Sequence, residues 1–268
     1  MYQVPREMPF QEVMATGHTI SPNPSYEVTR EDFFENKYLY FSIEQSHKKL
    51  TVTSESTVFL SKPNWMLCDP SLTQPWEEVY TWLHSTKAFN DIRQYYLESK
   101  HVNFIDGLRE YTLQSFYPGR PIMEAMIDLN TRINTDFEFT SGFTDISTPL
   151  EDVFEHKKGV CQDFSHFGLA CVRSIGLAGR YMSGYIETIP PPGEEKMVGA
   201  DASHAWMALY IPGQDWVEFD ATNNLLVSDQ HIRVAVGRDF ADVTPLKGII
   251  YSTGKQIMKV TVDVNRLN

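Results

Sequence analysis

The stretch Gly159-Val160-Cys161-Gln162-Asp163-Phe164 restricts the fold of this chain more than any other. Before it, Thr148-Pro149-Leu150-Glu151 has the form of a helix start: threonine at the N-cap, proline at the first helical position, and a glutamate to return the capping bond. Lys157-Lys158-Gly159 then ends that helix, with basic residues at its C-terminus and a glycine free to take the left-handed cap. Cys161 opens a second helix that runs to about Ile175 and stops at Gly176 and Gly179. The residues after Gly179 read mainly as strands: Arg180 to Glu187, Ala205 to Ile211, Asp215 to Phe219, His231 to Val236 and Lys255 to Val264. Helices gathered ahead of a run of strands predict an α+β fold, with Cys161 at a helix N-terminus.

The remainder divides into two parts. Up to Asn64 the chain reads as β, with Lys37 to Gln45 and Lys49 to Leu60 alternating apolar and polar residues and Ser21-Pro22-Asn23-Pro24 marking a turn. Two or three strands do not make a free-standing domain, so this part must pack on the rest or be the remnant of a larger β-module. The composition changes around Lys62-Pro63-Asn64, which sets the expected division at 1–64, a β-rich region, and 65–268, the main domain. Helical periodicity runs from Trp76 to about Glu98, with Trp76, Val79, Tyr80, Leu83 and Phe89 on one face, and again from Pro121 to about Asp136, burying Met123, Met126, Ile127 and Ile133. The acidic, proline-rich segment Pro190 to Met197 reads as a solvated loop rather than a lid.

With 268 residues, 42% apolar and 22% charged, the chain has the composition of an ordinary water-soluble fold with a sizeable core. A net charge of −12, without a basic cluster, argues against nucleic acid or an anionic membrane as partner. No apolar stretch reaches the length of a membrane helix, and Met1 to Val13 lacks the apolar core of a secretory leader. Cys161 and Cys171 fall on one expected helix, roughly 15 Å apart along its axis, beyond disulfide reach. Reduced thiols then give a cytoplasmic location as the expectation.

Three residues carry chemistry in this order: Cys161, His204 and Asp220. A thiol at a helix N-terminus faces unpaired N–H groups and the positive end of the dipole, which favour a thiolate and can hold an oxyanion. His204 opens a strand among the small residues Ala202, Ser203 and Ala205, and Trp206 falls on the same strand face. Asp220 closes the next strand, where a carboxylate reaches a histidine on its neighbour. Nucleophile, base and orienting acid are the parts of covalent acyl transfer. Cys68 and Cys171 have no such neighbours and read as structural. There is no CxxC, HExxH or paired-histidine spacing for zinc, and the glycines fit no nucleotide pattern. His166 is turned about 140° from Cys161 on a helix and is no natural further ligand.

The runs GVCQDFSHFGLACVRSIGLAGRYMSGYI, DASHAWMALYIPGQDWVEFDATNN and HIRVAVGRDFADVTPLKG resemble the bacterial transglutaminase-like enzymes, often described as candidate cysteine proteases. The resemblance is dense from Pro149 to Gly248. It implies a papain-like, transglutaminase-like core with an antiparallel sheet, a preceding β-rich region, and Cys161, His204 and Asp220 as nucleophile, base and acid. The family usually has proline where this chain has Ala221, and often glutamate where it has Ala208.

The expected activity is attack of Cys161 on a peptide or carboxamide carbonyl. A thioester results, which water resolves in a peptidase or amidase and an amine resolves in a transglutaminase. Hydrolysis is the favoured branch, the substrate is a peptide, a protein or a small amide, and no cofactor or calcium is called for. The competing readings are a non-catalytic peptide- or protein-binding module that keeps the fold, and an inert structural thiol beside an unrelated site.

Overall fold

In the computed structural model, residues 1–85, 90–188 and 201–267 are described. Phe89 and the loop Pro190 to Met197 lie outside them. The N-terminal region has four strands: β1 (Gln11–Ser21), β2 (Tyr26–Glu31), β3 (Lys37–Ser42) and β4 (Thr51–Leu60). They form two separate antiparallel ribbons, β1 with β4 and β2 with β3.

Helices come next, α1 (Trp76–Leu83), α2 (Asn90–Arg93), α3 (Leu108–Ser115) and α4 (Ile122–Asp136), then the short strand β5 (Glu138–Phe139). The single helix expected from Trp76 to Glu98 is broken after Leu83, where the Ser85 hydroxyl takes the Trp82 carbonyl in place of a further helical turn. Its expected face is split, with Val79 and Leu83 buried and Tyr80 exposed. The α4 expectation holds for Met123, Met126 and Ile133, which are fully buried, while Ile127 is half-buried. The helix α3 carries no apolar periodicity strong enough to announce it.

α5 (Leu150–His156) leads through β6 (Lys158–Gly159) into α6 (Cys161–Ser174). Both caps of α5 differ from expectation. Pro149 is the N-cap residue, because the Thr148 hydroxyl is spent on the Asp145 N–H. Lys157, not Gly159, takes the left-handed conformation (φ 53°). Gly159 instead pairs within β6, and its missing side chain admits the Asp163 carboxylate, which a Cβ there would approach to 2.7 Å. That carboxylate accepts the Val160 N–H (2.8 Å) and the Thr144 hydroxyl (2.6 Å), fixing the residue from which α6 starts.

The remaining elements are β7 (Gly179–Ile186), β8 (Ala202–Ile211), β9 (Asp215–Asp220), β10 (Leu225–Leu226), β11 (His231–Gly237) and α7 (Phe240–Val243). They build one antiparallel sheet in the order β10-β9-β8-β7-β11. Met207, Leu209, Val217, Phe219 and Val234 project from one face into the core shared with the helices, notably Phe167, Leu169 and Val172 of α6. The other face carries Met182, Trp206, Ala208 and Val236. Gly184 lets this second face curl: a Cβ there would lie 2.8 Å from the Trp206 ring and run into the carbonyl of Ile232.

The outer edge of β11 is closed by two carboxamide side chains and by the Arg6 N–H, which donates to the Arg233 carbonyl (2.9 Å). The Gln11 carboxamide accepts the Arg233 N–H (2.9 Å) and donates to the Arg233 carbonyl (2.7 Å), and Asn36 does the same for Val236 (2.8 Å each). Both carboxamides are buried, so they pair backbone groups that would otherwise be an exposed strand edge. No strand forms over Lys255 to Val264, contrary to expectation. That segment makes one bridge, Val262 with Asp201, since the β11 edge is occupied and β10 is only two residues long.

Candidate active site

Cys161 is the first residue of α6 and is half-buried. His204 lies in β8 and Asp220 at the end of β9, and strand pairing brings the two side chains together, with Nε2 of His204 2.7 Å from Oδ2 of Asp220. Both are buried. The Cys161 thiol contributes to the electrostatics of the same imidazole. Burial pulls the His204 pKa down, but its bonds to Asp220 and Cys161 and their charges outweigh this and raise it to about 9. Burial raises the Asp220 pKa, and the bonds and charges of its histidine partners reverse this and hold it well below the usual carboxylate range. The imidazolium–carboxylate pair is therefore the stable form at neutral pH.

Sequence reasoning missed His231. Its Nε2 lies 2.9 Å from the same Oδ2 of Asp220, and its side chain is buried. Asn223, in the turn after β9, adds its Nδ2 to Oδ2 (2.7 Å) and its backbone N–H to Oδ1 (3.2 Å). Two positions along each strand stands a second buried layer: Trp206 donates its indole N–H to Oε2 of Glu218 (2.8 Å), which also takes Nε of Arg233 (3.0 Å). A period-two signal was present, since His231 and Arg233 alternate with Ile232 and Val234, as Glu218 and Asp220 do around Phe219.

The two departures from the family pattern are answered locally. Ala208 is paired directly with Glu218, so a carboxylate stands in that layer from the neighbouring strand. The turn at Ala221 is held from α4, where Asn134 donates to the carbonyls of Ala221 (3.0 Å) and Thr222 (2.9 Å) and Asn130 donates to that of Asp220 (3.3 Å).

His204, Asp220 and His231 offer three ligand atoms within 4.8 Å of one another. Their contacts of 2.7 and 2.9 Å are hydrogen-bond lengths, shorter than the roughly 3.3 Å between ligands around a tetrahedral zinc. The set fits a proton-sharing network better than a metal centre. His166 accepts the Phe240 N–H and stacks on His101, away from this cluster. Cys171 is fully buried, its thiol pushed up to about 12, and Cys68 is contacted by the Gln214 carboxamide. A cavity of about 460 Å³ adjoins the first turn of α6 at Gln162 and Asp163 and is walled by Lys100, His101, Asn103, residues 145–150 and Val153, but neither Cys161 nor His204 lines it.

Residues 117–221 match the transglutaminase-like superfamily, and residues 1–59 match the bacterial transglutaminase-like N-terminal region. The chain belongs to the bacterial transglutaminase-like superfamily. One relative is an uncharacterised protein of Mycobacterium tuberculosis, 40% identical over 271 residues that cover 98% of this chain and 85% of that one. The transglutaminase-like fold is shared with a candidate cysteine protease from Cytophaga hutchinsonii, with a TM-score of 0.70, 21% identity and coverage of 90% of this chain and 76% of that one. The periplasmic domain of TgpA from Pseudomonas aeruginosa is a more distant likeness, with a TM-score of 0.40, 15% identity and coverage of 80% and 73%.

The cytoplasmic expectation does not stand. The thiol argument behind it is void. Cys161 and Cys171 are held apart on one helix, so free thiols here require no reducing compartment. No described helix is long and apolar enough to cross a membrane.

Proposed function

We propose that the protein is a thiol-dependent acyl-transfer enzyme with Cys161 as nucleophile, His204 as base and Asp220 as the acid that orients it. The observation that supports this reading is the buried His204–Asp220 pair, bonded at 2.7 Å, with Cys161 at the start of α6 among the groups that raise the His204 pKa. With Nε2–H given to Asp220, the other ring nitrogen carries the proton drawn from the thiol, so the imidazolium faces a thiolate, which attacks the carbonyl carbon of a peptide or carboxamide. The backbone N–H groups of the first turn of α6 face the developing oxyanion. The imidazolium returns its proton to the leaving amine, giving an amine and a Cys161 thioester. Water then attacks the thioester, His204 takes its proton, and the acid leaves as the thiol is restored. An amine in place of water gives transamidation. Hydrolysis is the favoured branch, in keeping with the protease description of the Cytophaga hutchinsonii protein. We further propose that residues 1–64 and 65–268 are the two units of the chain, the first tied to the second through Gln11 and Asn36.

A mixed library of blocked peptide amides, quenched during turnover and read by mass spectrometry, tests the reaction. Acyl mass on the peptide containing Cys161, absent in Cys161→Ala, is the expected result. Product formation undiminished in Cys161→Ala would overturn the assignment.

A further inference from the structure

We propose that His231 is a positioning residue of this site: a permanently neutral imidazole whose Nε2–H holds the Asp220 carboxylate in the orientation that His204 needs. It deepens the reading of Cys161, His204 and Asp220 as a catalytic triad and rests on it.

Three donors from three parts of the fold converge on Oδ2 of Asp220: His204 from β8, His231 from β11 and the Asn223 carboxamide from the turn after β9. An ionised carboxylate only accepts, so Nε2 of His231 carries a proton. Nδ1 of His231 is buried and has no hydrogen-bond partner. A second proton there would be a buried, charged donor with nothing to receive it, a state that burial strongly disfavours. The ring is thus fixed as one tautomer.

The groups facing it point the same way. Arg233, two residues along β11, places a buried cation nearby and donates to the His231 carbonyl (2.6 Å), and His204 supplies a second positive charge. Asp220 opposes them, and the Glu218 carboxylate in the adjacent layer is bonded to Arg233 and Trp206. Burial comes first among the causes and lowers the His231 pKa, with the bond to Asp220 opposing it without prevailing. Neutrality matters for the chemistry, because a charged His231 would compete with the His204 imidazolium for the one carboxylate.

The ring is also wedged in place. The Trp206 indole meets His231 edge-on at 4.9 Å and stacks on His204 at 5.9 Å, so one side chain spaces the two imidazoles. The register of β11 that delivers His231 to this point is set from its outer edge by Gln11.

The test has two arms. In the unmodified protein, long-range ¹H–¹⁵N spectra of the histidines from pH 5 to 9 should show His231 with one ring proton, on Nε2, throughout. A doubly protonated ring, or a proton on Nδ1, would overturn the proposal. In the second arm, Cys161 alkylation is followed against pH in the wild type, His231→Leu and His231→Gln. Leucine fills the space without a donor, whereas glutamine keeps an N–H of similar reach. We expect His231→Leu to label about ten-fold more slowly at pH 6, as loss of one charge-assisted bond implies, with the acid limb of the profile moved upward and glutamine restoring most of the rate. Equal rates in wild type and His231→Leu, or a glutamine variant as slow as the leucine one, would overturn the inference. If wild-type labelling ignores His204 altogether, the triad reading fails, and the spectra still decide the His231 bond.

Discussion

The N-terminal ribbons and the five-stranded sheet are both antiparallel β-structure, yet they are held by opposite means. In the ribbons Ile20 and Leu39 are the buried apolar residues among the first 60, and most of β1 and β4 faces solvent. They are tied to the rest by two buried carboxamides that stand in for a neighbouring strand along β11, together with the Arg6 and Tyr2 N–H groups on the Arg233 and Pro245 carbonyls. The sheet packs one face on α6 and the apolar core, and fills the other with buried charge: Glu218 with Arg233, and Asp220 with its histidines. Where apolar burial is thin, a few directed hydrogen bonds set position. Where it is ample, the fold can carry the desolvation cost of the polar groups that chemistry needs.

The largest expected effect breaks the sheet side of this contrast. Arg233→Met leaves Glu218 buried and unpaired and should cost about 3–5 kcal/mol in denaturant unfolding. Adding Glu218→Leu should recover most of that loss, and a double variant as unstable as the single one would mean that the pair is not what destabilises the protein.

Next comes pH. His204 titrates at about 9 in the fold against 6.5 ordinarily. Its protonation therefore contributes fully below about pH 6.5 and is lost as the pH rises through about 9, a contribution of about 3 kcal/mol. The stability difference between wild type and His204→Gln should shrink across that interval. A difference that stays constant from pH 6 to 10 would contradict the pairing with Asp220.

The ribbon side is broken more gently. Gln11→Ala strands the buried Arg233 N–H, its carbonyl keeping the Arg6 N–H, and Asn36→Ala removes the carboxamide that pairs the N–H and C=O of Val236; each should cost about 1–3 kcal/mol. Hydrogen exchange at the Arg233 and Val236 amides should accelerate before that of β8. Exchange accelerating equally in both strands would mean that the ribbons and sheet unfold as one unit.

What could be read in advance obeys the same divide. The α6 start, the His204 strand and the Asp220 strand end were legible because each depends on residues close in the chain, and the family motifs occur in the same order. The α5 caps were misread because Thr148 is engaged by Asp145, and Gly159 is needed for the approach of Asp163 rather than for its φ. His231 escaped because β11 is separated from β9 in the sheet by two strands, and only the curl over Gly184 brings it to Asp220. The Lys255 to Val264 segment has the residues of a strand, but an edge must be open to receive one.

The smallest effect sharpens the account of the turn after Asp220. Asn134→Ala removes two bonds to that turn and should cost about 1 kcal/mol, with a modest fall in Cys161 labelling. Unchanged labelling would show that the carboxylate keeps its place without the Asn134 bonds to the turn.

The measurement closest to the central claim is iodoacetamide labelling of the three cysteines at pH 6, read by peptide mass spectrometry in the wild type and His204→Ala. Rapid labelling of Cys161 that collapses in His204→Ala, with Cys68 and Cys171 slow in both, is the predicted result. Slow Cys161 labelling that rises only near the free-thiol value of about 8.5 and is indifferent to His204 would contradict the catalytic pair and leave a binding module in its place.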